Sequence, residues 1–277
     1  MLHARIVETL EKIAGDRVAE QVERLAHHAL RGEVWGKALR YCRQAGEKAM
    51  TRSAYHEAVG CFEQALSALP HLPETRDTRE QAIDLRLALR VALVPLGEYG
   101  QILDHLRAAE TLAHVLDDRQ RLVRVSLYMT EYYREMSDLD HALESGQRAL
   151  ALATTLGEVG FQVSAQYLLG VIYYDLGDYR RAVDCLGWNV ASLKGDLMRE
   201  HFGMTGLPFV LSCARLSWSL AELGRFAEGV AKGAEGVRVA EAADHPFSLI
   251  NACMSGSAMS TALKGTSPGA SLCSNVA

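Results

Sequence analysis

No apolar run long enough to cross a bilayer occurs in this 277-residue chain, so no membrane partner is expected. The opening MLHARIVETLEKIAGD carries charges throughout and lacks the apolar centre of a signal peptide. An excess of positive charge is also missing: the net charge is −5, and no local basic patch stands out, which argues against nucleic acid as a partner. Proline is scarce, with 6 residues, while Ala, Leu, Glu and Arg are abundant, a balance that favours helix over sheet. Disorder is excluded for the chain as a whole by 49% hydrophobic and 23% charged residues.

Catalytic and cofactor signatures are largely absent. There is no GxxxxGK[ST] phosphate loop and no GxGxxG after a strand. His56-Glu57 begins like HExxH, but Gly60 stands where the second metal ligand belongs. Gly265-Thr266-Ser267-Pro268-Gly269 matches GxSxG as a string without a strand-to-helix elbow around it. His27 and His28 are adjacent on a helix and point about 100° apart, so they are expected to pack rather than chelate one ion. None of Cys42, Cys61, Cys185, Cys213, Cys253 and Cys273 is in CxxC spacing, which reads as reduced thiols of a cytoplasmic protein. No cofactor and no metal are expected.

What the chain does contain is paired helices. Val163 to Leu186 holds two apolar-periodic segments split at Gly177-Asp178. Leu169, Gly170 and Tyr173 lie on the first, and Tyr179, Ala182 and Leu186 follow the turn. Gly170 and Ala182 are small where antiparallel helices must approach closely. The same spacing recurs. Trp35–Met50 pairs with Tyr55–Leu69, with Gly46, Ala58, Phe62, Ala65 and Pro70 at matching places. Segments 79–94 and 99–116 pair next, then 119–136 and 139–156 with Tyr133, Ala142 and Ala149 in register, and later 208–223 and 226–243. Gly146 stands where a large residue is usual. Thr78 is expected to cap the helix after the polar linker 71–81.

Aligning Ala58, Ile102, Ala142, Ala182 and Gly229 gives separations of 44, 40, 40 and 47 residues. The pattern resembles tetratricopeptide (TPR) repeats, in longer units than the usual ~34 residues. The expected fold is all-α, an antiparallel helix-pair solenoid. Residues 1–34 read as an N-terminal helical pair, with helices over Leu2–Ala14 and from Arg17 to Gly32. Residues 35–254 read as about five repeats and a partial last one, and 255–277 as a disordered tail rich in Ser, Gly and Thr. The chain stops inside a repeat, so a truncated or frame-altered product is expected, and the unfinished repeat offers a route to oligomers.

Within this frame, Tyr128, Tyr132, Tyr133, Tyr167, Tyr173 and Tyr174 concentrate on the first helices of two neighbouring repeats. Tyr133, Tyr173 and Tyr179 fall at core positions. Glu131, Arg134, Tyr167, Tyr174 and Asp175 fall where TPR arrays line a concave groove. They are expected to meet a protein or peptide segment, the alternative being helix packing and an ordinary solvated face.

Residues 25–90, LAHHALRG through LRLALR, resemble the segment that follows the ATPase module in large bacterial signalling proteins. Leu25-Ala26-His27-His28 and Ala45-Gly46-Glu47-Lys48-Ala49 carry the similarity most specifically, and it extends over most of residues 2–250. Those proteins join a class III adenylate/guanylate cyclase domain, or another output domain, to an AAA/STAND-type ATPase and C-terminal TPR-like repeats. The resemblance implies a non-enzymatic, protein-binding regulatory module, without the catalytic portions of that architecture. A small-molecule sensor is one alternative, with Gly224, Gly229, Gly233 and Gly236 leaving room between helices. Part of a nucleotide cyclase/ATPase enzyme is the other.

Overall fold

The computed structural model describes residues 2–263, and everything described is helix or short connection, with no strand among the described residues. The chain divides into two compact units, residues 1–132 and 133–277.

The first unit begins with α1 (Leu2–Ala14), a 3-10 segment (Gly15–Gln21) and α2 (Val22–Arg31). The second helix expected from Arg17 therefore starts later. Gly15 adopts φ +50° and Arg17 leaves helical geometry, so the backbone winds tightly before Val22. There follow α3 (Trp35–Thr51), α4 (Tyr55–Ala68), α5 (Arg76–Leu93), α6 (Tyr99–Val115) and α7 (Arg119–Glu135), the last passing into the second unit in its final turn. Consecutive helices from α2 to α6 pack on one another. Thr75, not Thr78, is the N-cap of α5. Its hydroxyl accepts from the Thr78 N–H while the Thr78 hydroxyl accepts from the Thr75 N–H, a reciprocal cap that satisfies two otherwise orphaned donors.

The second unit contains α8 (Leu139–Leu156), α9 (Val159–Asp175), α10 (Tyr179–Ser192), a 3-10 turn (Gly195–Arg199), α11 (Pro208–Glu222), α12 (Phe226–Ala242) and α13 (Pro246–Leu263). Here α11 touches both α9 and α13, so first helices of successive hairpins lie side by side. Helix α13 continues past residue 255, where a tail was expected; the rest of that stretch, with the GxSxG string and Cys273, lies outside the described residues.

One backbone feature sets the register. Between the two helices of each hairpin stands a left-handed residue: Ser53 (φ +56°), Gly97 (+73°), Ser137 (+58°), Gly177 (+76°) and Gly224 (+75°). These reverse the chain in a single residue, and glycine does so without the strain a Cβ brings. Their separations reproduce the 44, 40, 40 and 47 residues of the small-residue column.

That register exposes a paired choice of sizes. Gly46, Arg90, Thr130, Gly170 and Ser217 occupy equivalent places on first helices; Phe62, Leu106, Gly146, Leu186 and Gly233 do so on second helices. A Cβ on Gly46 would lie 2.5 Å from the Phe62 ring, and one on Gly170 would lie 2.6 Å from Leu186 Cγ. In these two hairpins the small residue on the first helix makes the space that the large residue of its partner fills. Around these contacts Ala58, Phe62, Ala142, Leu169, Tyr173 and Ala182 are buried. Tyr133 and Tyr179, expected in the core, are only partly covered: Tyr133 stacks on His141 with centroids 5.1 Å apart, and Tyr179 lies 5.4 Å from Tyr174.

A candidate protein-binding face

In the second unit the last turn of α7 and the first helices α9 and α11 present most of the predicted site. Arg134 donates from Nε to Asp175 at 2.8 Å, joining two first helices 41 residues apart in sequence. One residue before Asp175, Tyr174 turns its ring toward Tyr179 of α10, 5.4 Å away, and Trp218 of α11, 6.3 Å away. The Arg215 guanidinium sits 4.8 Å above the Trp218 ring. Burial, then the Glu222 carboxylate and Tyr179, hold the Tyr174 hydroxyl above its ordinary pKa, against the opposing pull of Arg215. The result is a half-buried patch of three aromatic rings with a cation stacked on its edge. Rings in such tilted arrangements bury large area with little side-chain entropy to lose, and a stacked arginine adds a cation–π contact.

Tyr167 lies elsewhere on α9. It packs against Leu186, Leu216 and Leu220, alongside Val183 and Val190, so its ring closes the seam between hairpins. Glu131 belongs to the first unit, where it forms an ion pair with Arg90, whose guanidinium also lies 4.3 Å from the Tyr128 ring centroid. The structure thus brings Arg134 and Asp175 together with Tyr174, places Tyr167 in packing, and assigns Glu131 to an ion pair of its own. Trp218, Arg215 and Glu222 were missed in the sequence. The signal was available: the left-handed glycines equate Gly177 with Gly224, which puts Trp218 one turn before the residue equivalent to Asp175.

No family model matches the sequence, and no curated protein matches it. Solved structures do. The apo form of RapI aligns with TM-score 0.66 at 12% identity, over 75% of this chain and 72% of that one. A Rap protein complexed with competence and sporulation factor aligns with TM-score 0.63 at 15% identity, over 83% of this chain and 64% of its own. The nearly identical TPR-like repeats of a putative kinesin light chain from Podosopora anserina align with TM-score 0.58 at 16% identity, over 75% and 97%. The fold is that of TPR-like helical repeats. At these identities the likeness is one of architecture, and the residues of the face are this chain's own.

The other predicted chemistry resolves into packing. His28 Nδ1 lies 2.8 Å from His3 Nδ1 with the rings stacked, and no group of His, Cys, Asp or Glu suited to a metal ion occurs among the described residues. Burial pushes the Cys42 and Cys213 thiols up to about 12 and Cys185 up to about 11, so all three are held protonated and unreactive. Gly229, Gly233 and Gly236 of α12 are buried, and a Cβ on Gly236 would lie 3.0 Å from the Cys213 Cβ. Among the described residues no helix is long and apolar enough to cross a membrane.

Proposed function

We propose that the chain is a non-enzymatic protein-interaction module that takes an extended protein segment on the face formed by Tyr174, Trp218 and Arg215, with the Arg134–Asp175 pair at its border. The observation that carries this is the cluster of partly open rings formed by Tyr174 and Trp218 on first helices and Tyr179 at the start of α10. Trp, Tyr and Arg dominate binding energy where they anchor an interface. The net charge of −5 and the scarcity of basic patches support a protein partner over nucleic acid. A structural neighbour, the Rap conjugation gene regulator of the plasmid pLS20, was solved in complex with the Phr* peptide, which supports peptide capture as a use of this architecture. The resemblance of residues 25–90 supports a place in an ATPase/cyclase-type signalling protein in the cytoplasm.

The test is selection of binding peptides from a random library on the wild-type chain, followed by fluorescence anisotropy on variants. Tyr174→Ala and Trp218→Ala should each weaken a selected peptide by about tenfold or more, with the circular dichroism spectrum retained. Peptides that bind both variants as tightly as the wild type would remove this face from consideration.

A further inference from the structure

Three imidazoles gather where the first turn of α1 meets the last turns of α2. His3 Nδ1 lies 2.8 Å from His28 Nδ1, the two rings stacked at 5.1 Å, and the His27 ring is T-shaped to both at 6.3 and 5.2 Å. The backbones leave no slack beneath them. A Cβ on Gly32 would lie 2.7 Å from the Ala4 nitrogen and 3.1 Å from the His3 carbonyl carbon. The paired rings therefore part only if the first turn of α1 lifts from α2.

Two ring nitrogens at this distance share one proton: one Nδ1 donates and the other accepts. Neutral rings supply that arrangement, and one added proton is tolerated on Nε2 of the donor ring. A second has only the accepting Nδ1 to go to, where it sets two N–H donors against each other and two cations side by side. Burial, then His3, His27 and Arg24, hold the His28 imidazole below its ordinary value. His3 comes from α1, and His27 and Arg24 from α2; neither α3 nor the Gly15–Gln21 segment brings an opposing charge, and no carboxylate acts on the ring. A folded value below the unfolded one means docking energy present above about pH 6.5 and lost as pH falls through the folded value.

The far end of α1 is held differently. Glu11 accepts from Lys37 at 2.7 Å and from the Tyr41 hydroxyl, and lies 3.7 Å from Arg40. Burial raises the Glu11 carboxyl, but these partners more than offset it and keep it below the ordinary range. It stays charged where imidazoles titrate. Between the two tethers Val7 of α1 is fully covered.

We propose that the His3–His28 pair is an acid-released latch: its second proton frees the first turns of α1 from α2, uncovers Val7 and Gly32, and leaves α1 hinged at Glu11. The device belongs to the first unit and does not depend on the aromatic face of the second.

Hydrogen exchange of the full chain between about pH 7.5 and 5, read by mass spectrometry and corrected for the intrinsic pH dependence of exchange, tests the latch. A released half-helix is too short to stay helical by itself. The fragment covering residues 2–10 should lose protection by up to about tenfold per pH unit below about pH 6.5, while fragments of α5 and α6 hold theirs. His28→Gln, which keeps a donor and an acceptor but does not titrate, should flatten that response. Constant protection of residues 2–10 in the wild type, or the same fall in His28→Gln, would overturn the proposal. If His28→Gln leaves α1 exchanging at every pH, the imidazole nitrogen shifts of the wild type decide, and both rings cationic with residues 2–10 still protected would overturn it.

Discussion

In the first unit Arg121 of α7 reaches Asp84 of α5 at 2.9 Å and Asp118, just before α7, at 2.5 Å, with Glu80 3.5 Å away; in the second, Tyr174 of α9 meets Trp218 of α11 ring to ring. The two units rest on the same kind of hairpin, yet the first joins α5 to α7 through ions, and the second adds to its Arg134–Asp175 pair an aromatic contact between α9 and α11. Ionic seams depend on geometry and solvent conditions, since charges must be desolvated before they gain from each other. Aromatic seams gain by area and leave ring faces available to a partner. Architecture and surface chemistry are thus set by different residues of one repeat: the former by the turn residue and the small–large pair, the latter by positions a turn away.

The sharpest way to test the shared part is to add one methyl group. Gly46→Ala and Gly170→Ala should each cost about 1–3 kcal/mol by overpacking. The first should cost more, because the Phe62 ring is rigid where the Leu186 branch can rotate away. Urea melts of the full chain, followed by tryptophan emission, measure both; a change below experimental error would mean that the helices are not pressed together at these glycines.

The ionic seam should yield a smaller effect. Arg121→Met should cost about 1–2 kcal/mol, the value for charge-assisted bonds discounted because the pair is about one-fifth exposed. Adding salt should narrow the gap between variant and wild type, whereas the corresponding loss in Trp218→Ala should hold steady.

Acid should separate the units with the least energy at stake. Burial alone would raise the Asp118 carboxyl, but the Arg121 backbone N–H and guanidinium more than offset this and hold it below the ordinary range. Glu11 and Glu23 are likewise lowered against burial, chiefly by hydrogen bonds from Lys37 and Tyr41 to the former and from Lys48 to the latter. Folded values below the unfolded ones mean stability present above about pH 4 and lost as pH falls through the folded values. All three carboxyls belong to the first unit, while Glu228, the lowered one in the second, is fully exposed. Emission from Trp35 should therefore change at higher pH than emission from Trp188 and Trp218, measured in variants that keep one set. Coincident transitions would show that the ionic seam does not set acid stability.

Much of the fold was legible because its determinants are local. Apolar spacing and the residues at 53, 97, 137, 177 and 224 place helix ends to within a few residues, as for α6, α8 and α12. The 3-10 segment at Gly15–Gln21 was not, because its residues keep helical periodicity while the backbone tightens. The site was only half legible. Spacing shows that Tyr167 and Tyr174 share a helical face, but not that one meets a leucine cluster and the other a tryptophan 44 residues on.

The small–large pairing also bears on how such a chain can change over generations. Gly170 answers Leu186, whereas the hairpin after it carries Ser217 with Gly233. Joining α11 to a second helix copied from α10 would set a serine against a leucine where even one methyl would sit 2.6 Å from Leu186 Cγ. Duplications that copy a whole hairpin keep the pair matched, and crossovers at the left-handed turn break it. The heritable unit is the hairpin, and recombination that respects the turns between hairpins can lengthen or shuffle the array without redesigning its core.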